Sequence, residues 1–173
     1  TASSTDDDNK RIIAGDVART RRTLAFFQDT SIQDLMVTLL AFYCTRRGTS
    51  YTQGMNEVLA AFINLYVDEL SDTRSAVDVL KQHQAVIFNC FYAFMSRFLA
   101  HVFRPDCFVT LKCSLVQFSL LLRYHYPQLA NYLAQFEVDP ELFATSWFLT
   151  AFAHGTQIPT VERVWDTLIA HDD

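Results

Sequence analysis

Two short segments of the chain contain residue types that suit chemistry on oxygen atoms. The first places Asp16 three residues before Arg19, and the second is Tyr51-x-Gln53-Gly54. The guanidinium group of arginine is permanently charged and forks onto two oxygen atoms. The amide group of glutamine offers both a donor and an acceptor, so it can orient a water molecule. Arg19 and Gln53 are therefore the candidate chemical groups.

Each of these residues also has an ordinary interpretation. Arg19 begins the run Arg-Thr-Arg-Arg over residues 19–22, which by itself is typical of a solvated basic patch. Gln53 by itself is an ordinary loop glutamine. Arg21 and Arg22 are candidate contacts to an acidic or phosphate-bearing surface of a partner beside Arg19.

The chain shows no other pattern of catalysis or ligand binding. It has no phosphate-binding G-x-x-x-x-G-K loop, no H-E-x-x-H and no G-x-S-x-G, and its five histidines are scattered. The sequence therefore predicts no metal site and no cofactor of its own. A net charge of −5 argues against a nucleic-acid partner.

The cysteines and the hydropathy indicate the compartment. No cysteine pair has C-x-x-C spacing, and each cysteine lies in an apolar stretch, which predicts buried free thiols in a reducing compartment. The four are Cys44, Cys90, Cys107 and Cys113. No signal peptide is recognisable, and no apolar run reaches the roughly 18 residues of a membrane span. We expect a cytoplasmic protein.

The composition predicts an all-α fold. Half of the residues are apolar, and 15 phenylalanines stand against four glycines and four prolines, so turns are few and helices long. Residues 1–9 are polar and acidic and are expected to be a flexible lead or an expression remnant. Residues 10–173 are expected to form a single domain, a compact bundle of about seven or eight helices.

Local signals place several helix ends. Ser31 and Asp34 form a predicted N-cap pair before an apolar helix that ends at Gly48. A long helix is predicted from about Thr73 to Phe98, and its apolar residues on more than one face favour a central position.

Three prolines mark later helix starts, because a proline at the first helical position sacrifices no hydrogen bond. They are Pro127, Pro140 and Pro159. Asp139 is a predicted N-cap of the Pro140 helix, and Gly155 is its predicted end.

Five short motifs in order give the sequence a family resemblance. Ile13-x-x-Asp16-x-x-Arg19 and Tyr51-x-Gln53 resemble the two signatures of the TBC-domain family of Rab GTPase-activating proteins. Three later segments, at 127–129, 143–150 and 163–166, are similar to that family's P-x-L, F-A-x-x-W-F-L-T and R-x-W-D motifs. The resemblance covers roughly residues 12–169. It implies the TBC fold, with one or more of the family's C-terminal helices expected to be missing.

The resemblance also implies a function. Members of this family stimulate GTP hydrolysis by a Rab-type GTPase in its GTP form, and the GTP and Mg²⁺ are carried by that partner. The domain has no catalytic chemistry of its own and completes the partner's active site. The resemblance further implies a membrane association that is at most peripheral, at endomembranes or through the partner. Carried over, Arg19 is the arginine finger, which is worth roughly 10³ to 10⁵ in rate, and Gln53 is the glutamine finger.

Three neighbours have implied supporting roles. Asp16 holds Arg19 or its loop, Tyr51 packs beneath the loop of Gln53, and Gly54 allows a tight bend. Two alternatives stay open: a TBC-like binding or scaffold module in membrane trafficking that is catalytically weak or inactive, and an unrelated helical interaction domain. The unrelated domain predicts that Arg19 and Gln53 lie far apart, whereas both TBC readings predict that they converge.

Overall fold

The described part of the chain is all helical. The computed structural model describes residues 2–67, 73–103 and 107–171, and within these ranges it contains eight α-helices, one 3-10 helix at Ala25–Gln28 and no strand. The α-helices are α1 (Ala2–Val17), α2 (Thr30–Arg47), α3 (Met55–Asn64), α4 (Thr73–Phe98), α5 (Cys107–His125), α6 (Pro127–Gln135), α7 (Glu141–Thr150) and α8 (Ile158–Ala170). The predicted all-α class with seven or eight helices is confirmed.

Helix α3 lies at the centre of the fold. Every residue from Met55 to Ile63 is buried, and α3 contacts α1, α2, α4, α7 and α8. The sequence analysis gave the central position to the long helix α4, and that prediction was wrong. Helix α4 buries one face, with Leu80, Ile87 and Phe91 in the core, and exposes the opposite face. A short helix whose residues are all apolar or paired can be surrounded on every side, whereas a helix with a polar face cannot.

The ends of α2 show where local signals succeed and fail. Gly48 ends the helix in a left-handed conformation, with φ of 60°, as predicted. The N-cap, however, is Asp29, whose Oδ1 accepts a hydrogen bond from the Ser31 N–H at 2.8 Å. The predicted N-cap pair of Ser31 and Asp34 is therefore wrong, because Ser31 already lies within the first turn of the helix.

The helices after residue 107 largely begin where the prolines predict. Pro127 starts α6, Pro159 lies in the first turn of α8, and Asp139 Oδ1 accepts from the Glu141 N–H at 2.9 Å just before α7. Helix α7 ends at Thr150 rather than at Gly155, because Ala151 adopts a left-handed conformation. That turn is anchored by Trp165, whose Nε1 donates to the Ala151 carbonyl at 2.7 Å.

The structure also bears on the predictions for the start of the chain, the cysteines and membrane spans. Helix α1 begins at Ala2, earlier than the predicted start near Lys10. Cys44 is buried, which raises the pKa of its thiol to about 11, but Cys90 and Cys113 are exposed rather than buried, and the Cys107 side chain lies outside the described part of the structure. No helix in the described ranges is long and apolar enough to cross a membrane.

Candidate functional site

The arginine loop leaves the C-terminal end of α1. The backbone N–H groups of Arg19 and Thr20 donate to the carbonyls of Asp16 and Val17, each at 3.0 Å, so the chain turns tightly there. Asp16 is buried, and its Oδ1 accepts from the guanidinium of Arg19 at 2.5 Å. The Arg19 side chain is 61% exposed. The guanidinium head itself is thus paired with a buried carboxylate, while most of the Arg19 side chain remains accessible to solvent.

The glutamine loop connects α2 to the buried start of α3. Tyr51 is buried and Gln53 is exposed. Gly54 has φ of 108°, a conformation that side-chain-bearing residues rarely adopt, and its carbonyl accepts the N–H groups of Glu57 and Val58 at 3.1 and 3.2 Å. The bend at Gly54 turns the chain from the exposed glutamine directly into the core helix.

A hydrogen-bonded network joins the two loops. The Tyr51 hydroxyl lies 3.0 Å from Asp16 Oδ2 and 3.0 Å from Asn56 Oδ1, and it shares its single proton between these acceptors. Asn56 Oδ1 also accepts the Gly54 N–H at 3.1 Å, and Asn56 Nδ2 donates to Thr20 Oγ1 at 2.8 Å. Two segments far apart in sequence therefore share one set of buried polar contacts.

The electrostatics of the network keep Tyr51 protonated. Burial raises the pKa of the Tyr51 hydroxyl strongly, and the charge of Asp16 and its hydrogen bond raise that pKa further. A raised pKa means that the neutral phenol persists throughout the physiological range. Tyr51 therefore acts as a hydrogen-bond donor to groups of both loops.

Arg19 and Gln53 line the same cleft. The cleft has a volume of about 540 Å³ and is open to solvent. Asp16, Gly54 and Glu57 also line it, and its far wall is formed by residues of α7. Both the GTPase-activator hypothesis and the scaffold-module hypothesis predict this convergence. The hypothesis of an unrelated helical interaction domain predicts that Arg19 and Gln53 lie far apart, which the structure contradicts.

The basic run after Arg19 is divided by the fold. The Arg21 side chain is only 12% exposed, and its Nε lies 2.9 Å from Glu57 Oε2. Its two terminal nitrogens donate to the carbonyls of Ala153 and Thr156. This placement argues against the partner contact predicted for Arg21, because the charged head is already occupied inside the domain. Arg22 is exposed, and its predicted role in partner contact stays a prediction.

Glu57 and His154 are residues of the site that the sequence analysis missed. Glu57 is buried beside the cleft, with Oε2 on Arg21 and Oε1 at 3.8 Å from Nδ1 of the exposed His154. The available signal was a carboxylate at the start of the apolar stretch of α3, since a buried charge requires a partner. Among the described residues, no group of three or more histidine, cysteine or acidic side chains is arranged to hold a metal ion.

Gly54 gives a stability prediction for this loop. A Cβ at this position would lie 2.9 Å from Thr150 Cγ2, and φ of 108° would be strained for any side chain. We expect Gly54→Ala to lower the free energy of unfolding by about 2 to 3 kcal/mol, which urea denaturation would measure.

Two control variants separate the contributions of contact and strain. Gly48→Ala meets open space at φ of 60°, so it should cost only about 1 kcal/mol. Adding Thr150→Ser to Gly54→Ala removes the crowded methyl group while keeping the hydroxyl, and should restore part of the loss. A Gly54→Ala protein as stable as the wild type would contradict the tight bend.

Comparisons with known proteins identify the family of this chain. The sequence model of the Rab-GTPase-TBC domain family matches residues 1–173. A human TBC domain-containing protein kinase-like protein is 29% identical over 119 residues, which cover 69% of this chain and 12% of that protein. GTPase-activating protein GYP5 of Eremothecium gossypii is 27% identical over 161 residues, which cover 93% of this chain and 17% of that protein.

A solved structure has the same fold. The crystal structure of the Ypt/Rab-GAP domain of Gyp1p superposes with a TM-score of 0.78 at 20% sequence identity, covering 94% of this chain and 54% of that chain. The present chain spans less than a fifth of the length of the two relatives named above. Since the family's sequence model matches the whole chain and the fold agrees, the chain belongs to the Rab-GTPase-TBC domain family.

Proposed function

We propose that this domain stimulates GTP hydrolysis by a Rab-type small GTPase, to which it supplies Arg19 and Gln53 in trans. The observation that carries the proposal is that two loops from distant parts of the chain present these two side chains to one open cleft. The GTPase binds in its GTP form and brings both the nucleotide and Mg²⁺. The domain contributes no cofactor and completes the active site of its partner.

Arg19 has the character needed for charge stabilisation. During phosphoryl transfer, negative charge develops on the transferred group and on the leaving oxygen, and a cation placed there lowers the barrier. The guanidinium group remains charged at any physiological pH and can donate two parallel hydrogen bonds. One terminal nitrogen of the guanidinium is paired with Asp16 and 61% of the side chain is exposed, so the group is held at the surface and reaches the GTPase when docking releases or shares that pair.

Gln53 has the character needed to orient the attacking water. Its amide carbonyl accepts a hydrogen bond from the water while its amino group donates a hydrogen bond to an oxygen of the phosphate. Gln53 is exposed and lines the cleft, and the N–H of the next residue, Gly54, donates a hydrogen bond to Asn56 Oδ1. A defined backbone position limits the conformations that the glutamine must lose on docking, which favours catalysis.

The names of the relatives support the same proposal. GYP5 is described as a GTPase-activating protein, and the solved domain of Gyp1p as a Ypt/Rab-GAP domain. We therefore take a Rab-type GTPase as the partner class, and we expect membrane association to be peripheral or through that partner.

One observation favours a second candidate, a TBC-like binding or scaffold module in membrane trafficking. The Arg19 guanidinium is ion-paired with Asp16 of its own domain. If docking of the GTPase does not release this pair, the domain binds its partner without accelerating hydrolysis.

Single-turnover GTP hydrolysis by a panel of Rab proteins tests the proposal. We expect the wild-type domain to stimulate at least one of them, and Gln53→Ala to reduce the stimulated rate by about 10²-fold or more through loss of water orientation. The matched control is Gln82→Ala, because Gln82 lies on the exposed face of α4 and does not line the cleft. That variant should behave as wild type.

Binding measured on the same panel separates the candidates. Complex formation with a GTP-loaded Rab without stimulation would favour the scaffold module. Neither binding nor stimulation across the panel would contradict both candidates.

A further inference from the structure

We infer that the hydrogen bond between Thr20 and Asn56 couples the arginine loop to the glutamine loop, so that Thr20 and Asn56 are positioning residues for both fingers. The inference rests on the proposed function for its catalytic consequence, but the coupling itself is a property of this domain alone. Thr20 directly follows Arg19, and Asn56 lies in the first turn of α3, just beyond Gln53 and Gly54.

The geometry assigns a direction to each hydrogen bond. The Thr20 hydroxyl donates to the Asp16 carbonyl at 3.0 Å, so its proton is used and its oxygen is free to accept. Asn56 Nδ2 donates to that oxygen at 2.8 Å, while Asn56 Oδ1 accepts from the Gly54 N–H at 3.1 Å. One asparagine amide therefore holds the peptide next to Gln53 with its oxygen and the residue next to Arg19 with its nitrogen.

Burial makes this bridge difficult to replace. Thr20 is 0% exposed and Asn56 is 6% exposed. A buried donor or acceptor that loses its partner has no water to replace it and carries the full desolvation penalty. The two loops are thus held in one mutual arrangement, and displacement of one loop leaves polar groups of the other without partners.

The chemistry of the bridge requires an amide. An aspartate at position 56 has no N–H for Thr20 Oγ1, and it would place a second carboxylate against the hydroxyl of Tyr51, which already faces Asp16. A simple packing role for residue 56 would accept any side chain of the same size. A bridging role accepts only a group that donates on one side and accepts on the other.

Thr20→Val is the decisive variant, because valine has nearly the same shape as threonine and lacks the hydroxyl. Hydrogen exchange of the intact domain measures the result across residues 49–57, a segment remote in sequence from position 20. We expect about tenfold faster exchange of the Gly54 amide, because its acceptor, Asn56, loses its tether to Thr20. Thr20→Ser keeps the hydroxyl and should restore protection. Thr38→Val, at an exposed position of α2, should have no effect on this segment.

A second readout links the coupling to function. With a GTPase that the wild type stimulates, Thr20→Val should lower the rate at saturating domain about tenfold while the concentration needed for half-saturation stays the same, since docking is not altered. Thr20→Ser should recover most of that rate. A merely structural role would instead raise exchange throughout the domain.

The outcomes distinguish failure of this inference from failure of the proposed function. Unchanged exchange of the Gly54 amide in Thr20→Val, or a general loosening shared by Thr20→Ser, overturns the coupling whether or not any GTPase responds. Faster local exchange with an unchanged stimulated rate overturns the positioning role. A wild-type domain that stimulates no GTPase refutes the proposed function, and the exchange result still decides whether the loops are coupled.

Discussion

Replacing Arg19 by alanine is expected to lower the stimulated rate of GTP hydrolysis by about 10³-fold, the smaller end of the gain that an arginine finger provides. The reason is electrostatic. Arg19 is the arginine that lines the cleft in the described part of the chain, whereas Arg21 is engaged with Glu57 and two carbonyls. Single-turnover hydrolysis at saturating domain measures the loss.

Arg19→Lys is the matched variant for this prediction. Lysine keeps the positive charge but lacks the planar fork that donates to two oxygens at once. We expect it to recover only a small part of the lost rate, because a point charge cannot reproduce two directed hydrogen bonds.

Affinity provides the internal control. The Arg19 side chain is largely exposed, and in the proposed mechanism it acts mainly in the transition state, so binding of the GTP-loaded GTPase should change much less than the rate. Stimulation that is indifferent to Arg19→Ala would contradict the finger role and favour the scaffold module.

Replacing Glu57 by alanine is expected to destabilise the domain by about 3 kcal/mol. Glu57 and Arg21 face each other at 2.9 Å with side chains that are 11% and 12% exposed. Removing one member of a buried ion pair leaves the other charge uncompensated, at a cost of about 3 to 5 kcal/mol. The lower end applies because two carbonyls still accept from the Arg21 guanidinium. Thermal and urea unfolding should show the loss, with a melting temperature lower by roughly 6 to 12 °C.

The double variant Arg21→Met/Glu57→Met is the control for the charge argument. It removes both charges at similar volume, and such replacements of buried ion pairs are often neutral or stabilising. We expect it to be more stable than Glu57→Ala by at least about 1 kcal/mol. A Glu57→Ala protein that unfolds like the wild type would show that the pair does not carry this burial cost.

The same ion pair connects chain segments on different sides of the cleft. Arg21 follows the arginine loop, Glu57 follows the glutamine loop, and the carbonyls that bind Arg21 belong to the turn between α7 and α8. Three chain segments around the cleft are therefore joined through one guanidinium. Loss of Glu57 is expected to affect the rate indirectly, through the positions of the loops that present Arg19 and Gln53.

Much of this protein is determined by sequence over short range. The helix from Thr73 to Phe98, the left-handed end of α2 at Gly48 and the proline starts of α6 and α8 follow from signals within a few residues, because helix spacing and backbone preference are local properties. The order of the TBC motifs is likewise a sequence property, and it pointed to the family and to the candidate fingers.

Other features were decided by tertiary structure. Arg19 and Arg21 look alike in sequence, yet the first lines the cleft and the second is only 12% exposed, because only the second meets Glu57 and the carbonyls of a distant turn. The central position of α3 and the bridge from Thr20 to Asn56 depend in the same way on contacts between segments far apart in the chain. Burial and the pairing of buried polar groups are set by which segments meet, and no local pattern contains that information.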